Sequence, residues 1–338
     1  MGTNKVKIMV FAAAAAAVLV AFSCKKSSAP ASKDLWTTYP TNGTFISSIA
    51  IDAQGNKWFA SSGSGVLKFD GANWTTYTTT NSGLADNYPS VIAIDARGNK
   101  WIGSNGSGVS KFDGTNWSIY DTSNSGLVSN NVNAIAIDAQ GNIWFGTLYG
   151  VSKFDGAHWT TYTTANSGLG DSTIAPIATV EAIGIDAQGN KWFGTQESGV
   201  SKFDGTNWSI YDAANSGILD YTILSIAFDP QGNKWFGTGG GVSEFTGTNW
   251  TTYDTANSGL VNGLVWAIAI DAQGNKWFGT SNGVSKFDGT HWTTYNTTNS
   301  GLYNKYAGQF HNDVISIAID TQGNKWFGGA GLSELQEQ

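Results

Sequence analysis

The chain has 338 residues, among them 43 Gly, 15 Trp and one Cys, and its 18 Lys+Arg against 25 Asp+Glu give a formal net charge of −7. A single cysteine excludes an internal disulfide framework and a Cys-based zinc site; sparse, scattered Lys/Arg on an acidic chain exclude the basic footprint of a nucleic-acid binder. With 41% hydrophobic and only 13% charged residues, the sequence has the material of a packed core and not the composition of a disordered chain.

Lys5 and Lys7 precede an unbroken apolar run from Ile8 to Phe22, which ends at Ala21-Phe22-Ser23-Cys24 before the polar stretch Lys25 to Asp34. The run is short for a membrane span, which needs about 20 residues, and has the layout of a secretory signal. A small residue directly before the only cysteine resembles the lipobox of bacterial lipoproteins, with Ala21 where that motif has Leu. The resemblance implies cleavage before Cys24 and lipidation of that residue. The expected organisation is therefore a lipoprotein signal peptide over 1–23, a lipidated polar tether over 24–34, and a domain over 35–338 that meets the membrane only through its lipid anchor.

From residue 35 on, one unit is written seven times. The string Asp-x-x-Gly-Asn-x-Trp begins at Asp52, Asp95, Asp138, Asp186, Asp229, Asp271 and Asp320. A second string, Trp-(Thr/Ser)-(Thr/Ile)-Tyr, begins at Trp36, Trp74, Trp117, Trp159, Trp208, Trp250 and Trp292, so the two account for every tryptophan but Trp266. Each unit reads as four short strands. In the third, Val132 to Ile137 is strand A; Asp138-Ala139-Gln140-Gly141 fits a type I turn with glycine in the left-handed position. Asn142 to Gly146 is strand B, Val151 to Phe154 strand C, Asp155-Gly156 a tight turn, and Trp159 to Tyr162 strand D. Pro230 stands at the second turn position of the fifth copy, where a φ near −65° is wanted. Four-stranded units of this length predict propeller blades.

The last unit stops after its third strand, and the missing Trp-x-x-Tyr strand stands at the other end, as Leu35 to Tyr39. The expected fold is thus an all-β, seven-bladed β-propeller of four-stranded blades, closed by the N-terminal strand 35–39, which completes the last blade and hides two sheet edges. Large rings on strands B and D are expected to fill the wide outer wedges between blades, and the small residues of strand A, such as Ala136 and Gly184, to suit the crowded axis.

The runs Ile-Asp-Ala-Gln-Gly-Asn-Lys-Trp-Phe-Gly-Thr (185–195) and Gly-Val-Ser-Lys-Phe-Asp-Gly (199–205) resemble the two-component regulator propeller repeat. In that family such repeats build the extracytoplasmic sensor region of hybrid histidine kinases, many of which respond to polysaccharide fragments. No kinase domain is found after the repeats, so the sensor-kinase role is not carried over. Together with the lipoprotein start, the resemblance implies a Gram-negative cell-envelope protein of Bacteroidetes type, periplasmic or surface-facing.

Chemistry-bearing patterns are few. His158 and His291 stand where other copies have Asn, beside the strand D tryptophan, and are read as turn residues. The repeat aspartates open turns, and their spacing lacks the alternating ligands of a calcium loop; no metal site and no cofactor are expected. Variation between copies concentrates in the B–C loops and D–A connections, which propeller geometry puts on one face. Tyr149, Glu197 and Tyr221 are variable there, and the two long D–A connections, 170–180 and 303–313, add Tyr303, Tyr306 and His311. Glu181 and Trp266 stand five residues before their repeat Asp, where other copies have Ser47, Ser90, Asn133, Leu224 and Ile315. These positions are expected near the mouth of the axial channel.

Aromatics with a few acids around a concave mouth suit a neutral glycan or a peptide. The expected function is a non-enzymatic, lipid-anchored, monomeric binding propeller that takes a carbohydrate or protein ligand on the D–A/B–C face. One alternative is an enzyme similar to the streptogramin lyases, which share the fold and would draw on His311 with Glu181 or Glu197. The other is an envelope scaffold for partner proteins.

Overall fold

The computed structural model describes residues 35–39, 41, 44–303 and 312–336. Seven four-stranded antiparallel sheets form a ring, and no helix occurs among the described residues. The third blade runs Val132–Ile137, Ile143–Thr147, Gly150–Phe154 and Trp159–Tyr162 from the axis outward. The last blade takes Val314–Ile319, Lys325–Gly329 and Leu332–Gln336 from the end of the chain and Leu35–Tyr39 from its beginning. That strand pairs antiparallel with the chain's far end, Trp36 opposite Leu335 and Tyr39 opposite Leu332. The seven-bladed ring closes as the offset of the two sequence strings requires.

The repeat string is legible atom by atom. In the third blade the Asp138 carboxylate accepts from the backbone N–H of Gln140 and Asn142, from the Asn142 side-chain amide, and from the Trp144 indole Nε1–H at 3.0 Å. Gly141, at φ +83°, closes the turn by donating its N–H to the Asp138 carbonyl. All seven blades repeat the Asp–Trp bond, at 2.9–3.3 Å. The motif therefore sets the A–B turn and also satisfies the one polar atom of a buried tryptophan.

Seven apolar clusters hold the ring, each shared by two neighbouring blades. The seven strand B tryptophans are 0–3% exposed. Those of strand D are only half-buried, and Trp74 is 43% exposed. The outermost strand has no further strand beyond it, so its rings lie flat on the strand C phenylalanines at centroid separations of 4.6–4.8 Å. Against these tryptophans press the glycines of the preceding Asn-Ser-Gly loops. A β-carbon added to Gly126 would overlap Trp159, and one added to Gly301 would overlap Trp36. The closing strand thus receives its neighbour's loop as five other outer strands do, those of Trp117, Trp159, Trp208, Trp250 and Trp292. Strand C serines clamp the same loops: Ser152 Oγ accepts the Val128 N–H and Ser285 Oγ the Val261 N–H.

The aspartate hubs give the fold an acid-sensitive side. Burial favours the neutral acid at Asp138, but hydrogen bonds from Asn142 and Trp144, with Lys191 nearby, outweigh it and hold the carboxyl below its ordinary 3.8. The same balance lowers Asp52, Asp95, Asp186, Asp271 and Asp320. A carboxyl depressed in the folded state contributes stability that is present above the unfolded value and lost as pH falls through the folded one. The thermal unfolding midpoint is therefore expected to hold level from neutrality to about pH 5 and to fall steeply below about pH 4. Melting curves between pH 7 and pH 2 check this, and a midpoint indifferent to acid would contradict the role given to the hubs.

Candidate functional site

Strand A of every blade carries a β-bulge at one position. The pairing with strand B skips from Val132 to Ala134, from Val180 to Ala182 and from Val265 to Ala267, and likewise in the other four blades. The skipped residues are Ser47, Ser90, Asn133, Glu181, Leu224, Trp266 and Ile315. A bulge re-aims its extra residue out of the ladder, and here all seven line one cavity of about 310 Å³ at the end of the axis. A narrower space of about 250 Å³ continues below it, walled by small and branched residues such as Ala134, Ala182, Ile183 and Ile226.

The seven positions are not equivalent. The Ser47 hydroxyl donates to the Pro89 carbonyl at 2.9 Å and the Ser90 hydroxyl to the Val132 carbonyl, so both tie strand A to the next blade. Trp266 is half-buried, and its Nε1–H donates to Ser281 Oγ at 2.8 Å, which fixes the indole at the rim. Glu181 contributes the one carboxylate among the residues that line this cavity, and burial pushes its carboxyl up from 4.5.

Two further aromatics complete the rim: Phe45, 38% exposed, and Tyr88, 58% exposed. Sequence reasoning passed them over, although a signal exists. They stand seven residues before their repeat Asp, two residues above the bulge, where other copies have Asn131, Thr179, Thr222, Leu264 and Asp313. Alternation along a strand puts that position on the same side as the bulge residue.

The remaining expected residues distribute differently. Tyr149 and Glu197 lie in a separate cavity of about 300 Å³ on the same face, between the third and fourth blades. Its wall is the long connection 170–180, anchored where Thr164 Oγ1 donates to the Pro176 carbonyl and the Gln196 N–H donates to the Thr179 carbonyl. Tyr149, Ile174 and Ile177 are 44–50% exposed around it. Tyr221 lines neither cavity; its carbonyl accepts the Gly199 N–H at 2.8 Å. Tyr303 packs its ring onto Gly331 and donates its N–H to Ser333 Oγ, a packing role. Tyr306, His311 and the lipidation candidate Cys24 lie outside the described residues. His158 and His291 are exposed turn residues whose N–H groups cap Asp155 and Asp288. Among the described residues no group of three or more His, Cys, Asp or Glu is placed to hold a metal ion.

A model of the two-component regulator propeller repeat matches residues 126–149, one of the seven copies of the unit. No curated protein matches the chain. Among solved structures, the extracellular domain of a hybrid two-component system from B. thetaiotaomicron aligns over 88% of this chain at 24% identity and a TM-score of 0.74. This chain spans only 40% of that protein's length. Virginiamycin B lyase from Staphylococcus aureus aligns over 90% of this chain and 99% of its own, at 14% identity and a TM-score of 0.70. PorZ, a surface component of the type-IX secretion system of Porphyromonas gingivalis, aligns over 89% of this chain and 47% of its own, at 18% identity and a TM-score of 0.68. These likenesses establish the fold. The chain is a seven-bladed propeller, and one copy of its unit matches the two-component regulator propeller repeat.

Proposed function

We propose that this propeller is a lipid-anchored binding module of the cell envelope that takes a neutral glycan at the channel mouth. The observation that carries the reading is the convergence of seven bulges on one concavity whose rim presents three aromatic rings: Phe45, Tyr88 and Trp266. Aromatic faces offer apolar area to the C–H faces of sugar rings, while the amides of Asn105 and Asn133 and the hydroxyl of Ser62 supply polar partners for sugar hydroxyls. A single carboxyl, itself pushed toward its neutral form, suits an uncharged ligand better than a cation. Placement outside the cytoplasm rests on the expected lipoprotein signal and on the extracellular likenesses.

A glycan-array screen of the full chain, followed by titration of any hit, tests the proposal. Trp266→Ala and Tyr88→Ala are each expected to weaken binding by about tenfold or more, since truncating an aromatic anchor of a binding site costs about 2 kcal/mol. Glu181→Gln is expected to leave binding of a neutral ligand largely intact. Unchanged affinity in both aromatic variants would overturn the site. Metal-dependent turnover of a substrate would favour the lyase-like reading, and protein capture indifferent to soluble sugars the scaffold.

A further inference from the structure

The face opposite the channel mouth carries a six-fold pattern with one gap. The first residue of strand B is lysine in six blades: Lys57, Lys100, Lys191, Lys234, Lys276 and Lys325. Each sends its ammonium across the blade junction to lie 4.6–5.8 Å from the ring centre of the preceding blade's strand B tryptophan. Four of them also come within 3.4–4.0 Å of that blade's repeat aspartate: Lys57 to Asp320, Lys191 to Asp138, Lys276 to Asp229 and Lys325 to Asp271. An ammonium between an indole face and a carboxylate is thus the standard closure of a junction here.

At the junction of the second and third blades the lysine is replaced by Ile143. Three features follow. Asp95 alone among the seven repeat aspartates is not buried, the other six being 3–8% exposed. A groove of about 210 Å³ opens there, lined among others by Asp95, Trp101, Lys111, Ile143 and Asp155. Ile143 packs beside Trp101 and leaves an apolar wall where a lysine stem would run. Lys111, from the same blade as Trp101, lies 5.1 Å from that ring. It does not bar a second ammonium: Trp58, Trp144, Trp192 and Trp277 each carry a strand C lysine and an inter-blade lysine together. Arg97, which also lines the groove together with Asp155, stands where the six other copies have Gln.

We infer that the second–third blade junction is a receptor site for a primary alkylammonium ion, the chemistry of a lysine side chain, which would lay its stem on Ile143 and set its charge over Trp101, as six internal lysines do over their tryptophans, and beside Asp95, as four of those six do beside their aspartates. The site lies on the face away from the channel mouth and does not depend on glycan binding there.

The test uses the full chain with ¹⁵N-labelled tryptophan, the Trp101 indole signal being assigned by its absence from Trp101→Phe. Titration with n-butylammonium is expected to shift that signal saturably, whereas n-butanol, which has the same stem without the charge, is expected to leave it in place. Ile143→Lys restores the internal ammonium and should weaken the response by about tenfold or more, because a tethered group competes at millimolar effective concentration. A capped Gly-Lys-Gly peptide that binds as tightly as the free amine assigns the ligand to polypeptide lysine; a peptide that fails where the amine succeeds assigns it to a small amine. No shift with n-butylammonium, an equal shift with n-butanol, or a response undiminished in a folded Ile143→Lys protein would each overturn the inference. Should that variant not fold, the comparison of amine with alcohol on the unaltered chain still decides.

Discussion

Asp138→Ala is expected to lower the free energy of unfolding by about 3–5 kcal/mol, the usual penalty for removing one partner of a buried charge pair. The substitution strips partners from the Trp144 indole N–H and the Asn142 amide at once, and leaves the Lys191 ammonium, only 13% exposed, without its carboxylate 4.0 Å away. Asp95→Ala removes the same local bonds to Trp101 and Asn99 but strands no inter-blade lysine, and its site is open to water. Its loss is expected nearer 1–3 kcal/mol. Urea denaturation of the two variants side by side isolates the contribution of the lysine latch. Equal losses would mean that the blades do not use it.

Excising residues 35–39 from the full chain is expected to destabilise it by about 5 kcal/mol or more, lowering the unfolding midpoint by on the order of 10 °C. Trp36 stacks on Phe327 at 5.5 Å and touches Tyr295 at 5.6 Å; Tyr39 stacks on Trp326 at 5.2 Å and donates its hydroxyl to Glu334 at 2.7 Å. Tyr39 also reaches Phe69 of the first blade, so one short strand serves both the last blade and the junction that closes the ring. Its loss would bare the Leu332–Gln336 edge, an unpaired strand that recruits other chains. Light scattering should therefore show concentration-dependent association alongside the drop in melting temperature. A shortened chain that melts unchanged and stays monomeric would refute closure by this strand.

The aspartate substitutions and the excision sample different ranges of the chain, and the sequence is legible to different depths in each. The strands and turns within a blade could be read directly, though not the bulge in strand A. The Asp-x-x-Gly turn, the alternation of strand A and the offset between the seven Asp strings and the seven Trp-x-x-Tyr strings fix strand order and count, because turn chemistry and strand pairing act over a few residues. The channel-mouth positions of Glu181 and Trp266 were reachable by counting from the repeat Asp. Phe45 and Tyr88 needed the same count carried two residues further.

What the sequence determined is the blade, its sevenfold repetition and the strand that seals it, since each follows from local geometry copied with little change. What only the tertiary structure decided is which side chains meet across blades. The lysine that crosses to its neighbour's tryptophan and the groove left where Ile143 breaks that rule both depend on surfaces brought together from about forty residues apart. No local pattern encodes such a pairing, because the attraction between an ammonium and an indole appears only once the ring has packed the two blades face to face.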